Sequence, residues 1–356
     1  MSQRIGYIDA IRGFTMMLVV YNHVLVHSFG GDANWGFNSI FITFRMPLFF
    51  FISGFLMYKT DLFKQRGSLR RFLGRKARVQ LVPTLIFAIA YVCILRVPFK
   101  SLLVDKAKCG FWFTYTLFFY FLIYAVGDVQ ISKYLKGKYK IFVGTGISFL
   151  VYAISKFSLS PVCPWFHSSV NGIIGFANYQ YFIFFYVGAL YRAFFQHVEI
   201  AMDNVKVNTV VISGFVLLQF ILQHSQTRDW IIAEGSYSAY SLLRSFSGFW
   251  GIATVFLFFR KNGDKIMQCR FGRFLQYIGK RTLEIYFIHT ILIHTDLSFM
   301  GDFLSRGNSY IAEMLLGGGM SLIIILLCLL ISQIIRCSDT LAKLLFGKVI
   351  KDDQGI

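Results

Sequence analysis

Runs of apolar residues recur along the whole chain, separated by short polar stretches in which Lys and Arg predominate. Ten such runs fall near residues 8–28, 38–58, 79–97, 111–128, 141–157, 178–195, 208–224, 239–259, 283–299 and 311–335. Most approach the ~20 residues that a helix needs to cross the hydrocarbon of a bilayer; the fifth and ninth are the least well defined. The pattern predicts an all-α fold, a polytopic membrane helix bundle of about ten transmembrane helices. It reads as a single membrane-embedded domain over 1–356, with no obvious internal repeat and no room for a large soluble domain.

Composition agrees with that reading. The hydrophobic fraction is 56%, only 15% of residues are charged and the mean hydropathy is +0.59, beyond ordinary globular usage. The formal net charge of +19 would fit a nucleic-acid binder, but the basic groups are spread among short loops instead of gathered in one patch. They act instead as a topology signal. Alternate loops hold 26 of the 36 Lys and Arg, among them Lys59, Lys64, Arg66, Arg70, Arg71, Arg75, Lys76 and Arg78 in one loop. The other set of loops holds seven, and Arg12, Arg45 and Arg244 lie within apolar runs. This asymmetry predicts a multi-pass protein of the cytoplasmic membrane with both termini in the cytoplasm. Lys100, Lys106 and Lys108 dissent by facing outward. The first run has no small-residue cleavage site and is expected to be retained.

The stretch Arg4–His27 is long enough to span yet carries Asp9, Arg12, His23 and His27. Arg12 and His23 are eleven positions apart, which returns to within about 20° of the same helix face over a rise of roughly 16 Å. Asp9, Arg12, Met16, Val19, His23 and Val26 therefore share one stripe. Ionisable groups inside a span are costly and are functional-site candidates. The plainer reading has Arg12 snorkelling to the interface beside Asp9, and His23 as a hydrogen-bonded packing residue. With the N-terminus inside, His23 lies in the outer half of the membrane, and Arg45 of the returning second span shares its depth. Arg45 is then either part of a site or paired with a carbonyl or with Asp32. Pro47 removes a backbone donor beside it.

Other candidates are weaker in pattern. Arg75 and Arg78 present two guanidinium groups on one side of a helical start, a geometry suited to phosphate; as a topogenic loop they would meet anionic lipid. His23 and His27 form an H-x3-H pair, but no spacing supplies a third ligand, so no metal is expected. Glu284 and His289 fall in the ninth run near its inner end; Glu284 is either a buried site acid or an interfacial acid paired with Lys280 or Arg281. Trp112 reads as a packing or interfacial residue. The six cysteines are scattered, and only Cys109 and Cys163 fall in loops placed outside, where a disulfide persists. No Gly-rich phosphate loop, nucleophile elbow or HExxH occurs.

Four blocks, in order, resemble one family. YIDAIRG (Tyr7–Gly13) leads into Arg12 and His23 with ten residues between them. FRMPLFFFISGFLMY (Phe44–Tyr58) contains Ser53 in a Ser-Gly-Phe block. RKARVQLVP (Arg75–Pro83) is a basic Arg-x-x-Arg patch, and GKRTLEIYFIH (Gly279–His289) begins a late helix. Together they resemble the acyltransferase-3 family of integral membrane acyltransferases over most of the chain. A departure is Arg45, where related sugar O-acetylases often carry His. The resemblance implies an O-acetyltransferase that takes acetyl-CoA as donor and a hydroxyl of an extracytoplasmic or lipid-linked glycan as acceptor. It implies His23 as general base or transient acyl carrier, with Arg12 holding the site's electrostatics or a donor phosphate. It implies Arg75 and Arg78 as the CoA anchor. Asp9, Arg45, Ser53, Glu284 and His289 rank behind them. A glycan or lipid-precursor transporter or flippase is the rival reading; it would favour inverted repeats and Gly/Pro-broken helix pairs, neither of which is clear here.

The charge asymmetry makes a direct prediction. Reporter fusions at Gly31 and at the C-terminus are expected to report opposite sides of the membrane. A C-terminal tag accessible from outside intact cells would contradict this topology.

Overall fold

The structure, a computed structural model, describes residues 6–32, 35–59, 63, 65, 67–105, 107–157, 174–294, 296–307 and 309–347. Lys106, Cys163 and His167 lie outside the described residues, and with Cys163 the expected outer cysteine pair. The described residues form helices and turns and no strand. In chain order the α-helices longer than one turn are α1 (Gly6–His23), α2 (Asn38–Met57), α3 (Ser68–Leu95), α4 (Trp112–Tyr134) and α5 (Gly137–Phe157). They continue with α6 (Phe182–Ala193), α7 (Phe195–Met202), α8 (Val205–Gln223), α9 (Ser225–Lys261) and α10 (Gly263–Gln268). The last are α11 (Arg270–Lys280), α12 (Thr282–Leu292), α13 (Ser298–Gly307), α14 (Tyr310–Arg336) and α15 (Asp339–Phe346).

Each of the ten apolar runs is helical, but they are unequal. Among the described residues six helices are long and apolar enough to cross a membrane: α2, α3, α4, α8, Ala239–Lys261 of α9, and α14. The expected figure of about ten is therefore approximate. Helix α1 is not among the six because Asp9, Arg12, Asn22 and His23 lower its hydropathy; a π-helical turn over Val24–Ser28 prolongs it. Helix α3 begins eleven residues before its apolar run, so Arg70 and Arg71, expected in the loop, stand on the same helix as Arg75 and Arg78. Helix α12 stops at Leu292, short of the expected end of its run. Beyond it the Asp296 carboxylate accepts the Ser298 backbone N–H at 3.0 Å, and that local bond opens α13. Pro47 and Pro83 sit inside continuous helices. Only 11% of the α8 window is buried within the protein, leaving Val210, Ile212, Val216, Leu217 and Phe220 exposed. A helix apolar on its exposed face requires lipid, not water, around it.

The chain divides into two compact units, one from Met1–Ile52 and Tyr191–Leu329, the other from Ser53–Leu190 and Leu330–Ile356. In the first, α1 is the central helix, with Ile8, Ala10, Ile11, Val20 and Leu25 buried. It meets α11 backbone to backbone. A Cβ on Gly13 would run into the Leu275 carbonyl, and one on Gly279 would run into the Asp9 carbonyl. Small residues permit this approach between helices. On another side Gly317 of α14 leaves room for Tyr21 and Leu25. Gln219 of α8 donates to Thr43 of α2 at 3.1 Å and to Ser247 of α9 at 2.8 Å, a polar knot among apolar helices. Arg260 binds Glu199 and Asp203 on and beside α7, and Tyr191 donates to Glu199.

In the second unit α3 and α4 are joined by the Thr84 and Thr114 hydroxyls at 2.7 Å. Gly54 admits the Phe185 carbonyl, and Tyr120, Phe121, Phe182 and Phe185 form an aromatic cluster. Lys76 lies 3.8 Å from the centre of the Phe121 ring. Helix α15 returns to α3 through stacked Phe87 and Phe346, and ends at Gly347 in the left-handed region, where a Cβ would press on Val79.

The α1–α11 contact is testable. Gly13→Val and Gly279→Val are each expected to lower the yield of monodisperse protein in detergent and its melting temperature. Gly318→Ala, where an added methyl meets nothing within 4 Å, is the control and is expected to be neutral or slightly stabilising. Equal behaviour of the three variants would contradict the contact.

Candidate active site

The candidate residues of the first unit collect at two levels along α1. At its first turns the Arg12 guanidinium lies 3.4 Å from the Asp9 carboxylate and donates to the Thr282 hydroxyl at 2.8 Å. Thr282 starts α12, three residues after Gly279, so the close α1–α11 contact is what brings this hydroxyl to Arg12. Asp9 is buried and Arg12 half-buried. Arg12 thus has partners on two helices, α1 and α12. Glu284 is also buried, on the first turn of α12.

At the far end of α1 stand four imidazoles. His23 and His27, one turn apart, stack with ring centres 5.4 Å apart and planes 18° from parallel. His289 of α12 lies 5.4 Å from His23, and His294, just beyond α12, lies 5.9 Å from His27. Exposure is graded: His289 is 1% exposed, His23 is half-buried, and His27 and His294 are exposed. The Ser28 hydroxyl donates to the Ile293 carbonyl at 2.7 Å, and the Leu297 N–H donates to the Ser28 carbonyl at 2.9 Å. These bonds pin the end of α1 to the end of α12 and so hold His27 beside His294.

The ring nitrogens are not equivalent. His289 Nδ1 is 2.9 Å from the Ile285 carbonyl, which can only accept, so Nδ1 carries the proton and Nε2 the lone pair in the neutral ring. His289 Nε2 and His23 Nδ1 are both buried and have no hydrogen-bond partner among the described residues. Each such group costs about 1–3 kcal/mol.

Further polar side chains lie at this end. Arg45 of α2 is buried and reaches Asn38 at 3.5 Å, and Asn38 donates to Asn22 at 3.0 Å. Arg45 is among the charged groups close enough to His23 to disfavour a proton on its ring. Tyr21 donates to Glu313 of α14 at 2.7 Å. Sequence analysis places His289 on the ninth run without a link to His23; the fold sets the two rings beside each other.

Arg75 and Arg78 belong to the second unit. Both are exposed on α3, in register with exposed Arg71 one turn earlier, and none of the three has an acidic partner among the described residues. Ser53 is half-buried on α2, next to the close Gly54 contact. Among the described residues no group of three or more His, Cys, Asp or Glu is arranged to hold a metal ion. Thr282, Asn22, Asn38, Tyr21 and Glu313 went unremarked in the sequence as site residues. Glu313, an acid in the last apolar run, carried a signal; the others are ordinary residues made relevant only by contact.

The helical bundle with buried ionisable groups on its first helix defines a polytopic membrane protein with an internal polar site. The model of the acyltransferase-3 family, described as an acyltransferase domain, matches residues 5–332. The chain belongs to that family and is a membrane acyltransferase. No curated protein and no solved structure matches it.

Proposed function

We propose that this acyltransferase moves an acetyl group from acetyl-CoA to a hydroxyl of an extracytoplasmic or lipid-linked sugar or polysaccharide. Residence in the cytoplasmic membrane with both termini in the cytoplasm belongs to the same proposal. The observation that carries it is the pair of neighbouring imidazoles, half-buried His23 and buried His289, each with a buried ring nitrogen that has no hydrogen-bond partner among the described residues. A neutral imidazole is the side chain best matched to taking a proton near neutral pH.

In this reading His23 takes the proton of the acceptor hydroxyl. The hydroxyl oxygen bonds to the carbonyl carbon of the thioester, the C–S bond breaks, and its electron pair leaves on the CoA thiolate, which is protonated by water. Arg45, buried and electrostatically coupled to His23, offsets the negative charge that develops on the carbonyl oxygen. Arg12, fixed by Asp9 and Thr282, supplies fixed positive charge at the other level of α1. Arg75 and Arg78 bind donor phosphates; their exposure and lack of acidic partners among the described residues support that role.

Two predictions share one assay, transfer from radiolabelled acetyl-CoA to extracted lipid-linked saccharides by purified protein at matched amounts. His23→Ala and His23→Gln are each expected to lower kcat by about 10²–10⁴-fold while the protein still inserts and accumulates. A near wild-type rate for His23→Gln, which keeps a hydrogen-bonding side chain, would sink the mechanism. Arg75→Ala with Arg78→Ala is expected to raise KM for acetyl-CoA with little change in KM for the acceptor, and Lys at both positions to restore it only in part. An unchanged donor KM would reduce the pair to a topological signal.

A further inference from the structure

Resting on the reading above, we infer that His23, His27 and His294 form a proton relay that carries the acceptor's hydroxyl proton from the buried site to water. The inference joins three observations. The rings follow one another at 5.4 Å and 5.9 Å. Exposure rises along the series, from buried His289 through half-buried His23 to exposed His27 and His294. The Ser28 bonds to Ile293 and Leu297 fix the outer pair against each other, although they come from segments far apart in sequence.

The chemistry needs such a path. Each transfer leaves one proton on His23, and the base is ready for another acceptor only when that proton has gone. His289 closes the inner end: its Nδ1 proton is committed to the Ile285 carbonyl, so its Nε2 offers His23 an acceptor within the protein and no outlet to water. The groups whose fields reach His23 are His289, Arg45, His27 and His294. None of these is a carboxylate that would trap the proton, and the Arg45 guanidinium repels a proton held on His23. His27 in turn faces His294 and the stacked His23. An imidazole accepts on one nitrogen and releases from the other, so each ring passes the proton on by rotation or through one bridging water. No bond to carbon changes in the relay and no electron moves; the proton that leaves the hydroxyl ends on water, while another water protonates the thiolate.

The test replaces the outer rings with phenylalanine, which keeps the stacked ring but not its nitrogens. His27→Phe with His294→Phe is expected to make the first acetyl transfer at the wild-type rate and to slow later turnovers at least about tenfold, with the acceptor KM unchanged. Free imidazole in the medium is expected to restore later turnovers in the double variant and to leave wild type unaffected. Steady-state turnover at the wild-type rate in the double variant, alongside an inactive His23→Gln, overturns the relay and leaves the proposed function standing. An active His23→Gln overturns the proposed function first. Loss of the first turnover together with the later ones, without rescue by imidazole, also overturns the relay, because it marks the outer rings as structural.

Discussion

The arrangement depends on one contact, the backbone-to-backbone approach of α1 and α11 at Gly13 and Gly279. Neither position tolerates a Cβ, so the two helices meet closely only with glycine at both. That approach sets where α12 begins, and α12 carries Thr282 to Arg12 at one level and His289 to His23 at the other. The polar residues of α1 are thus matched from a second helix whose starting point is steric in origin. A few side chains as small as hydrogen decide the placement of the most costly groups in the bundle.

The polar groups inside the first unit then divide by whether they are satisfied. Arg12 has Asp9 and Thr282, Tyr21 has Glu313, Gln219 has Thr43 and Ser247, and Asn38 links Asn22 with Arg45. Pairing of this kind keeps ionisable and amide groups inside an apolar bundle. Among the described residues of this unit, His23 Nδ1 and His289 Nε2 break the rule, as do Tyr7 Oη, Asn208 Oδ1 and Arg281 Nε; the two imidazole nitrogens belong to neighbouring rings. In the proposed mechanism the juxtaposition of the two imidazoles is what makes this end of α1 the reaction centre, and the family to which the chain belongs supplies the class of reaction.

Much of this was legible beforehand, for identifiable reasons. The helices follow from apolar runs of spanning length, and the Asp9–Arg12–His23 stripe follows from the 3.6-residue period of a single helix. Periodicity does not reach between segments, so nothing in it linked His23 to His289 or Tyr21 to Glu313, nearly three hundred residues away. His289 and His294 looked scattered for that reason. Helix α12 was expected to be longer because hydropathy continues past Leu292, whereas a local Asp296 bond starts a new helix there. Arg70 and Arg71 read as loop because charge masks helical continuity; in the fold they extend α3 outward from its apolar part.

The central claim is that an imidazole on α1 removes the acceptor's proton. The pH dependence of kcat/KM for the acceptor, measured in parallel for wild type and His23→Gln, tests it most directly. The account predicts that wild-type activity falls on the acidic side with the slope of a single proton, as the imidazole becomes charged and ceases to be a base, and that the residual rate of His23→Gln lacks this limb. A wild-type profile that stays flat down to the pH at which the protein unfolds, or an acidic limb that persists unchanged in His23→Gln, would contradict it.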